Sequence, residues 1–108
     1  MQTKKLDDMV RGWFVGDFNP TVYSTTRVEV AVKKYRAGEA EARHYHKVVT
    51  EITVIVSGEA EMNGKKYPAG SIIKLDPGER SDFRALTDTV TTVVKIPCVK
   101  NDKYIDEK

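Results

Sequence analysis

The sequence has a single cysteine, Cys98, so an intrachain disulfide is excluded and nothing in the chain argues for an oxidising compartment. It has no apolar run near the ~20 residues that cross a bilayer. Lys4 and Lys5 followed by Asp7 and Asp8 stand where a secretory signal needs its apolar stretch. A cytoplasmic location is expected, with no membrane partner. Excess charge of one sign is also missing: 18 Lys and Arg against 16 Asp and Glu leave a net charge of +2. That is far from the concentrated positive field a phosphate backbone demands, so nucleic acid is not an expected partner. No Gly-rich phosphate loop, Ser nucleophile elbow or Cys-x-x-Cys pair occurs. The 108 residues leave no room for a second domain. With 40% hydrophobic and 31% charged residues, the chain can build one core without staples.

What is present reads as strands. Between Val28 and Ile96, short segments rich in Val, Ile, Thr and Tyr are each closed by Gly, Pro or Asn. In RVEVAVKKY, Val28, Val30 and Val32 alternate with Glu29, Ala31 and Lys33, the period of a strand with one buried face. ITVIVSG, from Ile52 to Gly58, is apolar on both faces and is expected where neither sees much water. EAEMNGKKY carries Asn63 and Gly64 at its centre, the pair favoured by a two-residue type I′ turn, which predicts a hairpin over residues 59 to 67. SIIKL, SDFRAL and TVTTVVKI follow, the last ended by Pro97. Six or seven short strands in about 70 residues predict an all-β fold, a small antiparallel barrel or sandwich.

The ends differ. TKKLDDMVRGWF allows a short helix from Thr3 to Val10, with Thr3 as its cap, which must dock or fray because it is too short to stand alone. The tail NDKYIDEK is polar and expected to be solvated, with Tyr104 and Ile105 as an anchor pair. The division expected is an N-terminal segment over 1–26, a barrel over 27–97 and a tail over 98–108.

Both histidines of the chain fall at His44 and His46. In an extended segment they project from one face roughly 6 to 7 Å apart, close enough to converge on one ion. Glu51 follows after a turn's length of chain, and a reversal there lets its carboxylate complete a 2-His-1-carboxylate face with open coordination positions. Spacing alone also admits a pair of solvated or core-capping histidines beside a surface glutamate.

Residues 38 to 58 read Gly, five residues, His, one residue, His, four residues, Glu, six residues, Gly, which resembles the first signature motif of the cupin superfamily at each fixed position. The second cupin motif has a counterpart from Gly70 to Ala85, with Gly70, Pro77 and Gly78 in place. Ser81 stands where its metal-binding His belongs and Ala85 where its Asn belongs. RGWFVGDF and NDKY further resemble small single-domain bacterial and phage cupins of unassigned activity.

The resemblance implies a conical jelly-roll barrel with His44, His46 and Glu51 on the inner wall of its mouth. It implies a divalent transition metal such as Fe, Mn, Ni, Zn or Cu on those three residues, and Ser81 orienting a bound water beside it. Thr53 shares the side of Glu51, as do Ile55 and Ser57, and Phe83 points inward two residues after Ser81. A metal-dependent oxygenase, isomerase or decarboxylase acting on a small oxygen-rich molecule is one expectation. The alternative is a metal-free barrel that binds or processes a sugar, sugar nucleotide or other small ligand, with His46 or Glu51 as acid or base. The apolar outer face, Ile52, Val54 and Val56, calls for a cover. The N-terminal segment and a second subunit can each supply it; a homodimer is the expected one, with Trp13 and Phe14 part of the covering or of the interface. Arg80, Asp82 and Arg84 read as an outward charged face, Arg43 or Arg36 as candidate anion grips, and Cys98 as structural.

Overall fold

The computed structural model describes residues 1–107. These residues are nearly all β, with ten strands among them. These are β1 (Trp13–Val15), β2 (Glu29–Tyr35), β3 (Ala40–Tyr45), β4 (Thr50–Ser57), β5 (Glu59–Met62), β6 (Lys65–Pro68), β7 (Ile72–Leu75), β8 (Ser81–Ala85), β9 (Thr89–Ile96) and β10 (Tyr104–Ile105). They form two five-stranded antiparallel sheets in the orders β1-β2-β9-β4-β7 and β10-β3-β8-β5-β6, the jelly-roll barrel expected from the strand pattern. The expected hairpin is β5 and β6, paired in register from Met62 and Lys65 outward. Its turn residues Asn63 and Gly64 have φ of 51° and 78°, as a type I′ turn requires.

Eight strands occupy positions 29 to 96, against the six or seven expected, and each end adds one more. The expected N-terminal helix is reduced to one 3-10 turn, Leu6–Asp8, preceded by Lys5 and with no side-chain cap from Thr3 or any other residue. A helix this short cannot repay its nucleation, and the chain instead turns through Arg11 and Gly12 into β1, which pairs with β2. The tail is not simply solvated: β10 pairs with β3, and Asp102 is buried. No helix among the described residues is long and apolar enough to cross a membrane.

The first sheet is inverted relative to a simple hydrophobic reading. On β2, Ala31, Lys33 and Tyr35 pair with Val93, Thr91 and Thr89, which are buried, so these face the barrel interior. Val30 and Val32 pair with Val94 and Thr92 on the outer face and are only half-buried. Alternation had assigned the valines to the buried face. On β4, Glu51, Thr53 and Ile55 point inward as expected, but Ser57 is exposed, because an extra residue between Ile55 and Ser57 breaks the alternation against β9. Ile52 and Val54 are half-buried and Val56 is 54% exposed, so the outer face is less sheltered than the apolar run predicts.

The core fills one end of the barrel. Ile55, Ala60, Met62, Phe83 and Ala85 pack together with Tyr35, Tyr67 and Ile73 against them. From Ile55 the inner face of β4 continues through Thr53 to Glu51, where apolar filling gives way to a polar cavity.

Candidate metal centre

His44 lies near the end of β3, opposite Ser81 on β8 and Ile105 on β10. His46 follows just past the strand, and Glu51 sits on β4 between Lys95 of β9 and Leu75 of β7. The chain between them is fixed from afar: the Asp102 carboxylate accepts the backbone N–H groups of Lys47, Val48 and Val49 at 2.9–3.0 Å. Burial alone would raise the Asp102 pKa, but these three donors hold it below the usual carboxylate range. Sequence reading placed Asp102 in a solvated tail. Its only local signal is a position after Asn101, whose φ of 60° turns the chain inward.

The three expected ligands meet. One ligand atom from each of His44, His46 and Glu51 lies within 4.8 Å of the others, and His46 Nε2 is 3.9 Å from Glu51 Oε1. The imidazole rings stand nearly perpendicular, at 83°, with centroids 5.4 Å apart. Ligands held ~2.0–2.2 Å from an ion lie ~3–4 Å from one another, so side-chain shifts of under about 1 Å would close the set.

The donor chemistry fits an ion. His44 Nδ1 lies 2.9 Å from the Ala42 carbonyl oxygen, to which its N–H donates, so Nε2 is left as a lone-pair donor. Among the described residues His46 Nε2 is buried without any hydrogen-bond partner, an expensive arrangement that a cation on that lone pair would relieve. Burial, reinforced by the charges of Lys95 and His44, lowers the His46 pKa to about 4, so the ring is neutral at physiological pH, the form that binds metal. The Thr53 hydroxyl donates to Glu51 Oε2 at 3.5 Å. Ser81 is 2% exposed and beside His44 in register, but its hydroxyl donates to the backbone oxygen of Asp82 at 2.7 Å. Phe83, one inward position further, belongs to the core.

A polar seam closes the barrel beside this cluster, and alternation does not reveal it. Between Glu41 and His44, β3 carries one more residue than β8 does between Phe83 and Ser81, and this bulge turns both Glu41 and His44 toward the cavity. Glu41 accepts a short hydrogen bond from the Tyr35 hydroxyl and pairs with Lys103 at 3.2 Å and Lys33 at 4.0 Å. Burial would raise the Glu41 pKa, but the Tyr35 hydrogen bond and the two lysines hold it at about 2. Burial, with the Glu41 charge beside it, raises the Tyr35 pKa. Burial lowers that of Lys33 despite Glu41. Trp13, expected in the covering, lines the cavity instead, with Lys33 and Lys95 at 5.2 and 5.0 Å from its ring centre.

Arg43 and Arg36 do not line this cavity: Arg43 bonds Asp106 at 2.9 Å, and Arg36 is exposed. Arg80 and Arg84 are exposed as expected, Arg80 lying over the Tyr45 ring. Cys98 is a buried free thiol that donates to Glu29 and accepts from the Asp17 N–H.

Comparison with solved structures gives the same architecture. An uncharacterised conserved protein with a double-stranded β-helix domain from Klebsiella pneumoniae subsp. pneumoniae superposes with a TM-score of 0.74 at 24% identity, over 99% of this chain and 93% of that one. A DMSP lyase from Ruegeria pomeroyi gives 0.70 at 16% identity, over 86% of this chain and 49% of the other. An RmlC-like cupin from Shewanella frigidimarina gives 0.65 at 18% identity, over 72% of each. No protein-family model and no curated protein matches the chain. The fold is the double-stranded β-helix of the cupins.

Proposed function

We propose that this cupin-fold chain holds a divalent transition metal on His44, His46 and Glu51 and presents it to a small oxygen-rich molecule in the barrel cavity. The observation that carries this is the buried, unpartnered His46 Nε2 facing the Glu51 carboxylate within a three-residue ligand set. Three protein ligands leave open positions, and a bound ion supplies Lewis-acid polarisation or activation of water or dioxygen there. The chain's own residues orient and insulate. Thr53 steadies Glu51 and Ala42 fixes the His44 tautomer, while Ser81 beside His44 would meet a bound water only with its hydroxyl oxygen as acceptor. Oxygenation, isomerisation and decarboxylation or lyase chemistry fit such a site, and the lyase among the structural neighbours supports that range. Elemental analysis of purified protein beside His44→Ala tests the reading. Near-stoichiometric metal lost in the variant is expected; metal that is absent, or unchanged by the substitution, overturns it.

Ser81 in place of a third histidine favours one second reading, a metal-free barrel in which His46 or Glu51 moves a proton on a bound sugar or related ligand. Turnover that depends on His46 and survives chelation would select it.

We further propose a homodimer through the outer face of the first sheet. Ile72, Val54, Thr92 and Val32 form one cross-strand row, and Lys74, Ile52, Val94 and Val30 the next, while β7 is an unpaired edge with Ile72 69% exposed. A nearly uncharged face of this kind is self-complementary about a two-fold axis. The unpaired Cys98 thiol supports a reducing, cytoplasmic setting.

A further inference from the structure

Thr91 sits on the inner face of β9 with 1% of its surface exposed, and its hydroxyl has no hydrogen-bond partner. It lines a cavity of about 40 Å³ that also borders His44 and Glu51, room for a few water-sized groups. Lys33 is its direct partner across β2 and β9, and both residues line the cavity from neighbouring positions on one wall. The Lys33 side chain is 21% exposed, and its contacts are a Glu41 oxygen at 4.0 Å and the face of Trp13. No hydrogen bond to it is formed among the described residues.

The other charges around the cavity are better matched. Lys103 is 3.2 Å from Glu41 and Lys95 is 3.7 Å from Glu29, while the Asp82 carboxylate accepts the Asn63 N–H at 2.7 Å. Lys33 and Glu51 remain. An ion on Glu51 would then leave the cavity with surplus positive charge at both ends, the Lys33 ammonium and the ion.

We propose that this cavity binds a small carboxylate, one oxygen received by Lys33 Nζ and the other by Thr91 Oγ1. Two donors from neighbouring positions, one hydroxyl unbonded and one ammonium held only by an ion pair at 4.0 Å, match the two oxygens of one carboxylate, and the ammonium makes the contact charge-assisted. A phosphate carries more acceptor oxygens than these two donors satisfy. The proposal deepens the metal reading and rests on it for one feature alone: a second oxygen group on the same molecule reaches the ion at His44, His46 and Glu51. The substrate class is then a short hydroxy acid or dicarboxylate.

Isothermal titration calorimetry of acetate, oxalate, acetamide and inorganic phosphate, on metal-stripped and on Zn(II)-treated protein, tests it. Acetate and oxalate are expected to bind stripped protein and acetamide is not. Zn(II) treatment should tighten oxalate more than acetate. Lys33→Met should weaken carboxylate binding roughly tenfold or more and Thr91→Val several-fold. Circular dichroism checks the fold of each variant, and Lys33→Gln replaces Lys33→Met if the latter does not fold. Equal binding of acetamide, tighter binding of phosphate than of either carboxylate, no carboxylate binding, or affinities unmoved by both substitutions overturn the proposal. Lys33-dependent oxalate binding by protein that takes up no Zn(II) sinks the metal reading while the carboxylate pocket stands.

Discussion

Ser81 is the position at which one side chain would set how firmly the proposed ion is held. It is buried beside His44, and its hydroxyl is spent on the Asp82 backbone. Ser81→His restores a fourth ligand and is expected to tighten metal binding on the order of tenfold or more, measured by competition with a chromophoric chelator. Unchanged affinity would mean that position 81 does not reach the ion. Glu41 governs acid sensitivity. Its pKa, about 2 in the folded chain against 4.5 ordinarily, means the unfolded state binds more protons between those values. The stability it contributes is complete above about pH 4.5 and is lost as pH falls toward about 2. Urea midpoints at about pH 5 and about pH 3 should differ less in Glu41→Gln than in the parent. At this scale the sequence named His44, His46 and Glu51, because their spacing survives any detail of packing. Lys33, Thr91 and Glu41 escaped notice, since ordinary Lys, Thr and Glu at strand positions look like solvent-facing residues.

Elements explain why they escaped. The valines of β2 advertise a buried stripe, yet the barrel interior near the site is polar, so the stripe turns outward and Lys33 and Tyr35 turn in. Bulges then break the period in β3 and β4, bringing Glu41 inward and leaving Ser57 outside. Where local chemistry dictates geometry, reading succeeded, as at the Asn63 and Gly64 turn. Two glycines separate conformational from steric demand. Gly64 has φ of 78° with open space around it, so Gly64→Ala should cost about 1 kcal/mol, the left-handed penalty alone. At Gly58, the last residue of the histidine motif, an added Cβ would lie 2.2 Å from the Asp88 carbonyl oxygen. Gly58→Ala is therefore expected to cost more, roughly 3 kcal/mol or above, in a denaturant titration of both variants. The loop between His46 and Glu51 has its own test: Asp102→Ala strands three backbone donors and should destabilise by about 3 kcal/mol, with weakened metal retention at temperatures where the variant remains folded.

For the whole molecule, the jelly roll was legible because many short β-rich segments and a fixed-spacing motif pointed the same way. Quaternary structure was legible only as a need for cover over Ile52, Val54 and Val56. The outer face of the first sheet makes that need specific, and sedimentation equilibrium should give a dimer that Ile72→Lys shifts toward monomer. A parent that sediments as a monomer at micromolar concentration removes the dimer.

The hold that Asp102 exerts on Lys47, Val48 and Val49 spans 53 to 55 residues of sequence. During synthesis on the ribosome, both histidines and the glutamate emerge before the carboxylate that holds the loop between them. The ordered loop between His46 and Glu51 is thus among the last parts of this cluster that a nascent chain can acquire.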